Sequence, residues 1–212
     1  MNLTKDSIWI LLRKVTIPAS TGSLFMTFYN LVDTYFAGKI SPEALAAVAK
    51  SWPITFIALA ISIGIQAGTQ SLISNSVGAK ENKIASLYVA QSITFAVIIS
   101  IFVTLFGLNF SEFLLQIMGS SKESIILTRE YLDIIFYGSI IILVQLSLNG
   151  TLAAQGDTKS YRNILIISFF LNIFLNPIFI FGYGIIPAFG IAGLAISTLI
   201  AQGIGVLYLI YK

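Results

Sequence analysis

Long stretches without a single charge divide this chain into elements. Val15 to Val32, Ser51 to Ala79, Ile84 to Ser111, Ile134 to Gly156 and Asn163 to Tyr211 hold no Asp, Glu, Lys or Arg. A helix needs about 20 apolar residues, rising 1.5 Å each, to cross a hydrocarbon core of about 30 Å. The first four runs each make one crossing, the first extending past Asp33 to Gly38. The last run would measure about 74 Å as one helix, more than twice that core. Its middle, GYGIIPAFG (182–190), is rich in glycine and proline, which punctuate helices. It therefore reads as a hairpin. The predicted helices lie at about 15–38, 51–77, 84–108, 131–154, 163–181 and 190–211, in one domain spanning 1–212.

Composition turns these runs into a membrane protein. Hydrophobic residues make up 57% of the chain and charged ones 10%, with a mean hydropathy of +0.91. A soluble domain carries about 25% charged residues, and too few polar groups exist here to cover a soluble surface. The chain reads as an all-α integral membrane protein, a six-transmembrane-helix bundle. With no cysteine and no histidine, it has no disulfides, no thiolate or imidazole metal sites, no Cys nucleophile and no His base. No G-x-x-x-x-G-K-[ST] occurs, so nucleotide-driven transport is not indicated. Lys5, Arg13 and Lys14 precede the first apolar segment without a clean small-residue cleavage site, so that segment reads as a retained helix.

The net charge of +3 does not indicate nucleic acid; it is what loop cations give a protein oriented by the positive-inside rule. With the N-terminus inside, the inner segments hold Lys5, Arg13, Lys14, Lys80, Lys83, Lys159, Arg162 and Lys212. The outer segments hold Lys39, Lys50, Lys122 and Arg129. Both termini are expected in the cytoplasm, in a multi-pass protein of the cell inner membrane. Two inner loops, SVGAKENK (76–83) and AQGDTKSYR (154–162), each place a glycine after an apolar helix and then basic residues, as suits a helix C-terminus beside an anionic leaflet.

Asp33 is the acid that this pattern does not explain. A charge at the middle of a membrane helix costs roughly 2.5–3.5 kcal/mol on insertion scales. In the predicted topology Tyr29 lies one turn below Asp33, and Asn172 and Asn176 share a face at i, i+4. Those asparagines and Thr198 fall at a similar depth on helices 5 and 6. Without water each polar group needs a partner. The five residues therefore form a candidate cation-coupling site, in which Asp33 takes up a proton or a sodium ion. The competing reading is a buried clasp between helices. Gln145 and Asn149 on helix 4, and Gln66 and Gln70 on helix 2, are weaker candidates for lining a cavity. Glu112, Glu123, Glu130 and Asp133 are expected to face solvent.

Several ordered motifs then carry a resemblance. Pro18 followed by FYNLVDTYFAG (28–38), EALAAVA (43–49), SNSVGAK (74–80), NGTLAAQGDTK (149–159), LNIFLNPIFIFG (171–182) and FGIAGLAISTLIAQ (189–202) resemble the multidrug and toxic compound extrusion (MATE) family over nearly the whole chain. The resemblance implies one lobe of a twelve-helix secondary transporter, not an enzyme. It also implies small organic cations, often aromatic, exported by antiport against protons or sodium, with no cofactor. By position it marks Asp33 as the cation-site carboxylate, with Asn172, Asn176, Thr198 and Tyr29 beside it. Asn176 departs from sodium-coupled members, which often have a second carboxylate there, and hard cations prefer charged oxygens. The chain ends at LYLIYK directly after helix 6, so a second six-helix unit is expected from a longer chain, a second copy or a separate protein. A lipid-linked oligosaccharide flippase of the same superfamily is the nearest alternative, disfavoured because no Arg or Lys lies deep in a helix. A membrane enzyme and a non-transporting structural subunit are the others.

Overall fold

The computed structural model describes residues 7–212; Lys5, among the expected inner cations, lies outside them. The chain enters through α1 (Ile8–Leu11) and a π-helical turn at Leu12–Thr16, just before Pro18, which has no N–H for the helical ladder. It continues through α2 (Ile17–Ile40), α3 (Pro42–Gly78), α4 (Asn82–Ile117), α5 (Lys122–Tyr137), α6 (Ser139–Ala154), α7 (Lys159–Phe181) and α8 (Ile191–Tyr211). Among the described residues there is no strand, only a tight Tyr183–Ile186 bridge in the α7–α8 turn.

Four helices, α3, α4, α7 and α8, are long and apolar enough to cross a membrane, and α5 with α6 makes a fifth as one bent span. The first expected crossing, α2, has 24 residues but is less apolar, because it carries Tyr29, Asn30, Asp33 and several hydroxyls. The helices also overrun the charge-free stretches. α3 has 37 residues and α4 has 36, about 55 Å each. Absence of charge marks the hydrocarbon, whereas a helix stops where its caps stop it. Ser41 accepts the Ala44 N–H at 3.0 Å with Pro42 at the first helical position, so the expected loop between Gly38 and Ser51 shrinks to one residue. Likewise Asp157 accepts the N–H groups of Lys159 and Ser160, each at 3.0 Å, and α7 starts earlier than its apolar run.

The predicted fourth helix is two helices, bent by 50° at Gly138. One hydroxyl from α4 and one from α6 serve the backbone there. Thr104 donates to the Phe136 carbonyl at 2.7 Å and lies 2.9 Å from Ser139 Oγ, while Ser139 donates to the Ser100 carbonyl at 3.1 Å. In the absence of water such partners are what a break inside a membrane requires.

Small residues let the helices approach. A Cβ on Gly150 of α6 would come 2.6 Å from the Gln66 carbonyl oxygen of α3, and one on Gly107 of α4 would run into the Phe136 ring. One apolar cluster joins Leu115, Leu132, Phe136 and Leu143; another joins Ala37, Ala44, Ala47, Ile180 and Leu194. Glu112 faces solvent as expected, whereas Asp133 is only partly exposed. Both pair with Arg129, at 2.8 and 3.4 Å, because together they neutralise a half-buried guanidinium between α4 and α5.

Candidate functional site

Three helices converge on Asp33. α2 carries Tyr29 and Asp33 one turn apart, α7 carries Asn172 and Asn176, and α8 carries Ser197 and Thr198. Asp33 is 9% exposed and both asparagines are fully buried. One carboxylate oxygen, Oδ1, accepts from Asn172 Nδ2 and from Asn176 Nδ2, each at 2.9 Å. The other, Oδ2, accepts only a longer bond from Thr198, 3.4 Å. A buried charge is normally paired. Among the described residues the ion pairs involve Arg129 alone, so Asp33 has neutral donors and no cation.

The amides are themselves fixed. Asn176 Nδ2 also donates to Asn172 Oδ1 at 2.9 Å, and the Ser197 hydroxyl touches Asn176 Oδ1. With its oxygen engaged by Ser197, the Asn176 amide turns its nitrogen toward Asp33. Ser197 went unnoticed in the sequence because Thr198 next to it carries the same chemistry at the same depth. Only the rotation of α8 tells them apart.

Tyr29, Asn30, Asp33, Trp52, Tyr131 and Gln202 line a cavity of about 160 Å³. The Tyr29 hydroxyl and Gln202 Oε1 are buried without a hydrogen-bond partner among the described residues. Tyr131, on α5, was also missed. The sequence shows it two residues from Asp133 near a helix end, and the break at Gly138 is what turns α5 over this cavity.

The weaker cavity candidates separate. Gln66 and Asn149 line a second cavity of about 240 Å³ between α2, α3, α6 and α7. Gln145 lines neither. It packs on α8, where a Cβ on Gly205 would sit 2.7 Å from its Nε2, because the face of α6 that it occupies is buried by that helix. Gln70 is exposed.

The chain as a whole is similar to known proteins. The family model described as MatE matches residues 18–178. A relative named FAD transporter, from Shewanella oneidensis, is 28% identical over 188 residues, 89% of this chain and 42% of that protein. One named Probable multidrug resistance protein YoeA, from Bacillus subtilis, is 28% identical over 199 residues, 93% of this chain and 43% of its own length. A solved structure described as "Crystal structure of MATE in the bent conformation" superposes with a TM-score of 0.86 at 30% identity, covering 95% of this chain and 44% of that one. The chain thus spans less than half the length of these relatives.

Proposed function

We propose, from the premise that the chain belongs to the MatE family of membrane transporters, that it forms one lobe of an exporter in which Asp33 couples outward movement of flat organic cations to inward movement of an ion. The observation that carries this reading is a cavity-lining carboxylate with two firm neutral donors on one oxygen and, among the described residues, no cation. An intramembrane acid is by default a functional group. Trp52, Tyr131 and Phe136 give the cavity aromatic faces, to which a flat cation is attracted by dispersion and by the ring quadrupole. The second six-helix unit would supply the opposite wall, and rocking of one unit against the other would expose the site alternately.

The donor set favours a proton over sodium. Both asparagines present N–H groups to Asp33, and their oxygens are engaged elsewhere. A sodium ion would find Asp33 Oδ2, the Thr198 hydroxyl and the Tyr29 hydroxyl, one charged ligand among them. A proton needs Oδ2 alone. Support for the reading also comes from relatives named for multidrug resistance. Cytoplasmic termini follow from the distribution of Lys and Arg.

The test is accumulation of ethidium in cells lacking their own exporters, expressing the chain with and without a coexpressed second lobe. Expected is efflux that Asp33→Asn abolishes at equal membrane abundance, and that collapses with the pH gradient but not with a sodium gradient. Efflux that survives Asp33→Asn would leave Asp33 as a clasp between helices.

A further inference from the structure

The second cavity differs in kind from the one at Asp33. It opens between α2, α3, α6 and α7, near the end of the bundle where α7 begins. Its polar lining is Ser23, Gln66, Asn149, Thr158, Tyr161 and Arg162, and among the described residues no carboxylate lines it. Asn149 is 7% exposed, yet its side chain bonds to no other described group. Asn149 faces the cavity, so a molecule within it would complete that bonding.

Arg162, partly exposed, lines the same cavity. Its Nε and Nη2 donate at 3.1 and 2.7 Å to the side-chain oxygen of Asn163, a neutral acceptor. Among the described residues the guanidinium meets no carboxylate and Nη1 has no acceptor. Asp157, the acid just before α7, is committed to the Lys159 and Ser160 N–H groups and to the Ser160 hydroxyl. Two glycines shape the space. A Cβ on Gly22 would lie 3.2 Å from Leu165 and 3.5 Å from the Arg162 backbone, and one on Gly150 would meet Gln66. The lobe therefore holds two cavities of opposite sign, one acidic at Asp33 and one basic at Arg162.

We propose that the cavity between α2, α3, α6 and α7 is a binding subsite for the anionic end of an organic ligand, a phosphate monoester or carboxylate, held by Arg162 with the Asn149 and Gln66 amides beside it. Arginine suits this role because its planar fork presents paired donors to such oxyanions. Pro18, Ala19, Met26, Ala153 and Leu165 complete the wall, so the ligand has an apolar part as well. The oxyanion comes from a soluble compound or from a lipid headgroup. Binding here needs neither Asp33 nor transport, so the inference stands apart from the exporter reading.

The experiment uses the full chain in phosphatidylcholine nanodiscs, with riboflavin 5′-phosphate and uncharged riboflavin as fluorescent probes. Expected is binding of the phosphate ester at least about tenfold tighter than that of riboflavin, the scale of one charge-assisted contact. Arg162→Gln should abolish the difference, and Asn149→Leu should weaken the phosphate ester while leaving riboflavin unchanged. Native mass spectrometry in phosphatidylglycerol provides the lipid arm. Anionic lipid retained by the unaltered protein and lost from Arg162→Gln, without binding of the phosphate ester, supports the subsite with a headgroup as occupant. Equal binding of both probes to the unaltered protein, together with no Arg162-dependent lipid retention, overturns it. If Arg162→Gln fails to fold, the two-probe comparison and Asn149→Leu decide.

Discussion

Asp33 sits among apolar helices because neutral donors, rather than a cation, hold its charge. Such bonds favour the ionised form. Hydrogen bonds to a charged group contribute roughly 1.5–3 kcal/mol, so Asn172→Leu should destabilise the purified protein by about that amount at neutral pH. Thermal melts measure it. At the other end of the bundle Asp157 offers a titration. Partial burial works against its charge, but the Ser160 hydroxyl, the Ser160 and Lys159 N–H groups and the Lys212 charge overcome this and hold its carboxyl below the usual range. A lowered folded-state value stabilises above the unfolded one and loses that contribution as pH falls through the folded value. Asp157→Ala should therefore lower Tm at pH 7, and the gap should close only below about pH 4. The pairing of Asn172 with Asn176 was legible from i, i+4 spacing. The roles of Ser197 and Tyr131 were not, because they depend on how α8 is rotated and how α5 is tipped.

At the scale of elements, hydropathy located the helices and missed how they end and break. Gly138 lies within an apolar run, where nothing in composition separates a kink from a straight helix. The kink shows only with the Thr104 hydroxyl of α4 at the Phe136 carbonyl and the Ser139 hydroxyl at the Ser100 carbonyl. Glycines make the packing testable. Gly150→Ala would drive a methyl into the backbone of α3 and should cost about 1–3 kcal/mol, as overpacking does. Gly64→Ala meets nothing within 4 Å and should be neutral or stabilising by about 0.5–1 kcal/mol through helix propensity. Melting temperatures of the two variants would show opposite signs. A loss of stability in Gly64→Ala would mean that another surface covers that position.

For the whole molecule, orientation is the open quantity that charge predicts. The chain has no cysteine, so single cysteines report sidedness without background. Ile185, fully exposed in the α7–α8 turn, lies at the opposite end of the bundle from Asn82 at the start of α4. Ile185→Cys should react with a membrane-impermeant maleimide in intact cells, and Asn82→Cys only after permeabilisation. The reverse pattern would place the termini outside and set the Asp33 cavity toward the cytoplasm. Large apolar side chains such as Phe102, Phe106, Phe174 and Leu207 are exposed on the bundle, and lipid or a second lobe would cover them.

The sequence by itself determined the membrane class, the helical elements and the choice of Asp33. These follow from transfer free energies, which depend on what each residue is and on its place along the chain. It also placed Asn172, Asn176 and Thr198 at the depth of Asp33, since rise per residue converts position into depth. Only the tertiary structure decided which donors reach which carboxylate oxygen, that α5 and α6 are separate helices, and that Gln145 packs while Asn149 faces a cavity. Those outcomes depend on helix rotation and close approach, and a one-dimensional pattern of polarity leaves both undetermined when several polar residues share one helix.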